Sequence, residues 1–414
     1  MKLIFDDSTF SLQLLRAISE TYYKGADIGE CLSTAYRIKE SDFESWYNEW
    51  LKTAKRVQNY AQECLKNGHN ISAREAFLRA SNYYRVSGFL IIDPQDTRST
   101  ETWKLSKDCF NQAARLFPFS FEPIQIPYEQ TSLPGYFFKV NNNNNNFKNE
   151  NENQKQRPIL VVHGGFDSTL EELYFSAAAP ALERGYNCLA FEGPGQGGVI
   201  LSQKIPFRFD WDKVVTPVID FLLDNKEKYD VDAERIALMG ISLGGYLAAR
   251  AAAFEHRLSA CILYNGVYDG KESLESSFPP PLLKSIKDGD EHVVNKVIEI
   301  LMETDSNIKF NIKHGMWTFG IDSPYELVKR SSEFTLKEIA NKIICPTLVL
   351  DAEKDDSFPG QPQKVYNALT CPKKYILFTV EEGAEEHCQC GAPSLSNQRI
   401  FDWLDEIFKY SNYT

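Results

Sequence analysis

Hydrophobic positions along the chain change period near residue 120. Before that point apolar residues recur at helical spacing. Phe43, Trp46, Tyr47, Trp50, Leu51, Ala54 and Val57 form one such stripe, which predicts a helix with one buried face. Ser41-Asp-Phe-Glu44 reads as a capping box at its start, the serine capping and the glutamate reaching back. Ser72-Ala-Arg-Glu75 reads as a second, opening a helix that carries Ala76, Phe77, Ala80, Tyr83 and Tyr84. A third helix is predicted from Glu101 to Leu116, stopped by Phe117-Pro118. Residues 1–120 are therefore expected as a helical domain whose aromatics fill a core.

From Phe121 the pattern alternates. Phe121–Tyr128 and Gly135–Val140 predict a β-hairpin, with Ser-Leu-Pro-Gly as its turn. Asn141 to Gln156 is low-complexity, rich in asparagine and unable to bury a core, and is expected as a disordered loop. Beyond Arg157, six short apolar runs alternate with helical stretches: Ile159–His163, Asn187–Glu192, Ile236–Gly240, Ala260–Asn265, Thr347–Asp351 and Tyr375–Val380. Runs apolar on both faces, joined by helices, predict an α/β fold with a mostly parallel sheet covered on both sides. Residues 266–343 exceed what a plain crossover needs and read as a helical lid insertion. Residues 121–414 then form the second domain.

Composition changes little in that picture but narrows the partners. The chain is 43% hydrophobic and 25% charged, ordinary for a protein with a buried core. Its 57 acidic against 45 basic residues leave a formal charge of -12, which disfavours nucleic acid and anionic membrane surfaces. No run of about 18 apolar residues predicts a membrane span. The N-terminus does not read as a signal peptide, since two aspartates follow Phe5 directly. Nine scattered cysteines, an odd count, suit reduced thiols in the cytoplasm. His387-Cys388-Gln389-Cys390 has metal-binding residue types, but no second pair stands at zinc-like spacing. No metal or cofactor is expected, the expected partner is a small-molecule substrate, and a homodimer is compatible with the sequence.

The chemistry concentrates downstream. Gly240-Ile-Ser242-Leu-Gly244 follows a predicted strand and precedes an alanine-rich helix. That is G-x-S-x-G in the strand–turn–helix setting that exposes a nucleophilic serine. A serine hydroxyl needs a base at neutral pH, and the base needs an acid to orient it. After the strand at Thr347 come Asp351, Asp355 and Asp356. Asp355 is preferred as the acid; Asp351 is still inside the strand, and Asp356 is the main rival. Of the six histidines, only His387 lies in the loop after the last strand, where the base belongs. The oxyanion donors are expected to be the Leu243 N–H and the N–H of Gly165 or Phe166, in the loop His163-Gly-Gly-Phe166-Asp167. His163 is expected to be structural. Ser168-Thr-Leu-Glu171 reads as a capping box, while Asp167 and Glu172 are candidates for orienting a polar substrate. Glu192-Gly-Pro-Gly-Gln-Gly197 lacks a Walker lysine and reads as a turn shaping the pocket rim.

His163-Gly-Gly-Phe-Asp-Ser-Thr169, Glu192-Gly-Pro-Gly-Gln-Gly197, Gly240-Ile-Ser-Leu-Gly-Gly-Tyr246 and Glu382-Gly-Ala-Glu-Glu-His-Cys388 resemble the α/β-hydrolases related to 2,6-dihydroxypseudooxynicotine hydrolase. That group includes fungal polyketide-shortening pigment hydrolases and fermentation/respiration switch proteins. Ser45-Trp-Tyr-Asn-Glu-Trp50, the run from Ser72 to Tyr84, and Gly315-Met-Trp-Thr-Phe-Gly320 extend the resemblance into the helical segments. It implies an α/β-hydrolase fold with Ser242 as nucleophile, Asp355 as acid and His387 as base. Some members cleave carbon–carbon bonds, so it also implies hydrolysis of a β-diketone or acyl-aromatic, polyketide-like compound. One departure is Ala352, where many such enzymes have glycine. The competing expectations are a carboxylesterase, thioesterase or acyltransferase, and a non-catalytic ligand receptor.

Overall fold

The computed structural model describes residues 1–141 and 156–409. The asparagine-rich segment expected as a loop lies almost wholly outside them. The helical part opens with α1 (Ser8–Ser19), α2 (Ile28–Ala35), α3 (Phe43–Lys66), α4 (Asn70–Gly88) and α5 (Thr97–Ala114). In α3 the residues Trp46, Trp50, Ala54, Val57 and Ala61 are fully buried, because steps of three and four keep them on one face. The cap differs from expectation. Asp42, one residue after Ser41, accepts the Ser45 N–H at 3.0 Å. Ser41 instead donates to Asp7. Similarly α4 starts at Asn70, with Ser72 inside it. At α3 Asp42 serves the first N–H groups, so Ser41 is not needed there, whereas no side chain caps the start of α4.

Eight strands follow: β1 (Ser120–Tyr128), β2 (Thr131–Lys139), β3 (Arg157–His163), β4 (Asn187–Phe191), β5 (Val231–Ile241), β6 (Ala260–Tyr264), β7 (Thr347–Ala352) and β8 (Lys373–Phe378). They form one sheet in the order β1-β2-β4-β3-β5-β6-β7-β8. The β1–β2 and β2–β4 pairs are antiparallel and the rest parallel. The hairpin turn is Glu129-Gln130, not Ser132–Gly135, since Tyr128 pairs with Thr131 and Ile126 with Leu133. This register buries Leu133 completely, whereas a turn at Ser132 would have placed it in water.

Side chains along the central strands alternate between two cores. Leu160, Val162, Ala237 and Met239 join the one that continues into the N-terminal helices. Ile159, Val161, Ile236 and Leu238 join the other, beneath α7 (Asp212–Asp224) and α9 (Gly244–Ala252), with short α6 (Ala179–Glu183) and α8 (Lys226–Tyr229) nearby in sequence. Between β6 and β7 come α10 (Gly270–Glu275), α11 (Pro280–Asp288), α12 (Glu291–Thr304), α13 (Ser306–Phe319) and α14 (Pro324–Ser331). They hold a small core of their own, including Leu282, Val294, Ile298 and Ile312. The Ser306 hydroxyl at the start of α13 donates to Asp7 at 2.8 Å, tying this insertion to the N-terminal helices. The chain ends with α15 (Gln361–Ala368) and α16 (Pro393–Phe408). Among the described residues no helix is long and apolar enough to cross a membrane.

Candidate active site

The sharp turn between β5 and α9 holds Ser242 at φ 63, a left-handed conformation costly for a residue with a side chain. The Ser242 N–H donates to the Tyr264 carbonyl at 2.8 Å. Gly240 must lack a side chain, because a Cβ there would overlap the Gly244 carbonyl. The glycines of the motif thus let strand and helix meet closely enough to push the serine outward.

Asp355 follows β7 and is 5% exposed. Its Oδ1 accepts the N–H groups of Ser357 at 2.8 Å and Phe358 at 3.3 Å. Asn265 Nδ2 donates to its other oxygen. Burial alone would raise this carboxyl, but the facing His387 and these donors outweigh it and hold the group below the usual range. Neither alternative holds the ring: Asp351 accepts the Tyr375 hydroxyl at 2.5 Å, and Asp356 is exposed at the cavity wall.

His387 lies in a short turn (His387–Gln389) after β8. Its Nδ1 is 3.0 and 2.9 Å from the two Asp355 oxygens, and its Nε2 is 2.9 Å from Ser242 Oγ. A carboxylate accepts only, so Nδ1 carries the proton and Nε2 is left to accept from the serine. Cys388 Sγ stands 3.3 Å from the same Nε2. Burial works against a charged imidazole, yet Asp355 and Cys388 together push His387 well above the ordinary value. The His387–Cys390 run therefore supplies this ring and the cavity wall. Among the described residues no His, Cys, Asp or Glu cluster is placed to hold a metal.

The loop after β3 lies against the serine turn. A Cβ on Gly165 would stand 2.6 Å from the Ile241 carbonyl and 2.7 Å from the Leu243 nitrogen. The Gly165 N–H points to Ser168 Oγ at 3.4 Å. Leu243 and Phe166 line the cavity over the serine, and no described group accepts from their N–H groups. His163 is fully buried, with burial lowering its pKa to about 4, and its Nδ1 is bonded to the Gly164 carbonyl at 2.9 Å. Glu171 starts no capping box; it accepts the Tyr136 hydroxyl at 2.8 Å inside the core. The glycine-rich turn after β4 does not reach the cavity. From behind, Gln196 Nε2 donates to the carbonyls of Gly164 at 2.7 Å and Gly165 at 3.2 Å.

Asp167 and Glu172 do line the cavity, but both are held by Arg16. Arg16 of α1 donates to both Glu172 oxygens at 2.6 Å and to Asp167 Oδ1 at 3.0 Å. Arg85 of α4 stands 3.4 Å from Glu172. Burial opposes ionisation of both acids, and Arg16 outweighs it, so both stay charged. Sequence reasoning missed Arg16, whose only signal was a cation within the apolar run of α1. It also missed His314 of α13, whose Nε2 donates to the Phe166 carbonyl at 3.0 Å and whose ring stacks on Phe310 at 5.1 Å. Burial lowers the His314 pKa, which suits a neutral ring making that bond.

The cavity holds about 390 Å³ and is walled by α1, the loop after β3, α13 and the turn of His387. That volume suits a drug-sized organic molecule.

Comparison with known proteins agrees with this architecture. A family model described as alpha/beta hydrolase family matches residues 159–372. The 20-hydroxy-prefusarin hydrolase FUS2 of Gibberella moniliformis is 35% identical over 422 residues, covering 99% of this chain and 98% of that one. Hydrolase LUC6 of a Fusarium species is 34% identical over 422 residues, again covering 99% and 98%. Among solved structures, 2,6-dihydroxy-pseudo-oxynicotine hydrolase superposes with a TM-score of 0.72 at 20% identity, over 94% of this chain and 95% of that one. The eight-stranded sheet with its helical N-terminal region is thus the α/β-hydrolase fold.

Proposed function

The chain belongs to the alpha/beta hydrolase family, and we propose that it is a serine hydrolase that attacks a carbonyl of a small organic substrate. One observation carries the reading: His387 Nε2 lies 2.9 Å from Ser242 Oγ while its Nδ1 holds buried Asp355, at the wall of the cavity. His387 takes the Ser242 proton as Oγ bonds to the carbonyl carbon. The N–H groups of Leu243 and Phe166, free of other acceptors, receive the oxyanion, and the His314 bond to the Phe166 carbonyl fixes that loop. When the tetrahedral adduct collapses, His387 returns the proton to the leaving group. Water, deprotonated by the same nitrogen, then releases the acid and restores Ser242.

The finer reading is carbon–carbon hydrolysis of a β-diketone or acyl-aromatic compound. A carbon leaving group departs as an enolate or electron-rich ring carbon, which takes the His387 proton. The aromatic walls Phe166, Phe310 and Phe319 suit an aromatic acyl substrate. The inserted helices α10–α14 act as the lid. A fluorophosphonate should label wild-type protein on Ser242, and Ser242→Ala should not label; equal labelling sinks the nucleophile assignment. Benzoylacetone split to benzoate or acetate faster than phenyl acetate is hydrolysed favours the finer reading, and the reverse favours an esterase.

Because His387 must be neutral to act as base, its raised pKa sets the sign of the pH dependence. Activity should be lost as pH falls through that value, with the rising limb of kcat/KM lying above the free imidazole value of about 6.5. Cys388→Ala removes one of the influences that raise it, so the limb should move to lower pH. A limb unmoved in this variant would show that the sulfur does not act on the ring.

A further inference from the structure

Glu20 is the first residue of the short turn after α1 and is 8% exposed. Its carboxyl faces the same cavity as Ser242 and His387, yet no described group hydrogen-bonds to it. A nearly buried carboxyl that lines a cavity without a partner is costly unless a ligand completes it.

The charges around Glu20 decide which ligand. Arg16 and Arg85 face it and are balanced by Asp167 and Glu172. Cys390 and Tyr264 are the other titratable neighbours. A third carboxylate would be in excess there. Burial first, and then Glu172, raise Glu20 to about 8, against the smaller pull of Arg85 and Arg16. At neutral pH the group is a carboxylic acid with an O–H to donate.

We propose that Glu20 forms a substrate subsite that donates a hydrogen bond to an uncharged acceptor oxygen, a ketone or ester carbonyl lying away from the bond to be cleaved. This rests on the reading of the cavity as the substrate site, and it names the substrate class as an oxygenated acyl compound with a second carbonyl. The subsite sets which substrate is held, and it plays no part in the proton transfers at Ser242.

The test measures binding in the Ser242→Ala protein by calorimetry, so no turnover is needed. The probes are benzyl levulinate and two longer oxo-ester homologues, each against the plain benzyl alkanoate of equal chain length. One homologue should bind about tenfold tighter than its alkyl counterpart near pH 7, the value of one hydrogen bond. That preference should vanish by about pH 9.5, as the acid ionises and repels the carbonyl oxygen. With Glu20→Leu added the preference should be lost at both pH values. With Glu20→Gln added, a neutral donor that cannot ionise, it should persist at both. A ketone preference absent in every homologue, kept in Glu20→Leu, or unchanged through alkaline pH overturns the proposal. Loss of the preference in Glu20→Gln also overturns it, because a merely structural carboxyl would explain that result. Fluorophosphonate labelling reports separately on the hydrolase reading, so the two can fail independently.

Discussion

Replacing Ser242 by alanine is expected to lower kcat on an activated ester by roughly a millionfold, leaving a residual rate of the order of a thousandfold above water. The loss is large because, in the proposed mechanism, the serine, the imidazole and the carboxylate act as one device. His387 Nε2 has its only described oxygen partner in Ser242 Oγ at 2.9 Å, so without the hydroxyl the base has no proton to take. What survives comes from the Leu243 and Phe166 N–H groups and from substrate binding. His387→Ala should therefore cost about as much, and the double variant Ser242→Ala/His387→Ala should be no slower than either single one. Steady-state kinetics on p-nitrophenyl acetate, with the background reaction subtracted, measure all three. Losses that multiply in the double variant would mean that the two side chains do not work as a unit. A Ser242→Ala protein keeping more than about a hundredth of the activity would locate the nucleophile elsewhere.

Arg16→Met is expected to destabilise the protein by about 3–5 kcal/mol, read as a fall in the denaturant midpoint at constant slope. The guanidinium spans α1 and the loop after β3, with hydrogen bonds to Asp167 and to both oxygens of Glu172. Glu172 is 5% exposed, and without Arg16 the site holds two carboxylates against Arg85 alone. The cost is that of an uncompensated buried charge rather than of a lost contact. Arg16→Met/Glu172→Gln restores the balance, one cation facing one anion, and should recover a good part of the loss. If the double variant is as unstable as the sum of its single ones, the pair is not coupled and this account fails. The N-terminal helices should loosen with it, since Arg16 is a direct link between α1 and the loop after β3.

The sheet and the serine turn were legible in sequence for a local reason. All six apolar runs after Arg157 became strands, in the predicted places to within a few residues; the central ones are buried on both faces, while the edge strand β8 keeps exposed positions such as Lys373 and Lys374. Gly240-Ile-Ser-Leu-Gly244 was legible because its spacing follows from a steric limit within five residues. Local signals failed where two solutions were chemically equivalent. Asp42 caps α3 as well as Ser41 would have, and the Ser132–Gly135 run looks like a turn until Ile126 is paired with Leu133.

Order along the chain was enough to single out Ser242, His387 and a short acidic run. It could not choose between Asp355 and Asp356, which differ by one residue but point to opposite environments. Burial, the Ser357 and Phe358 N–H groups and Asn265 single out Asp355 as the partner of His387. Asp167 and Glu172 looked like free acids because their partner, Arg16, stands about 150 residues away, with a separation of 151 to 156. Glu20 and His314 carried no signal at all. The chain by itself determined the elements, the sheet and the order of the reacting groups, since those depend on periodicity and on sterics between neighbours. Only the tertiary structure decided which charges are cancelled and which polar groups are left facing the cavity, because those depend on distances between residues remote in sequence.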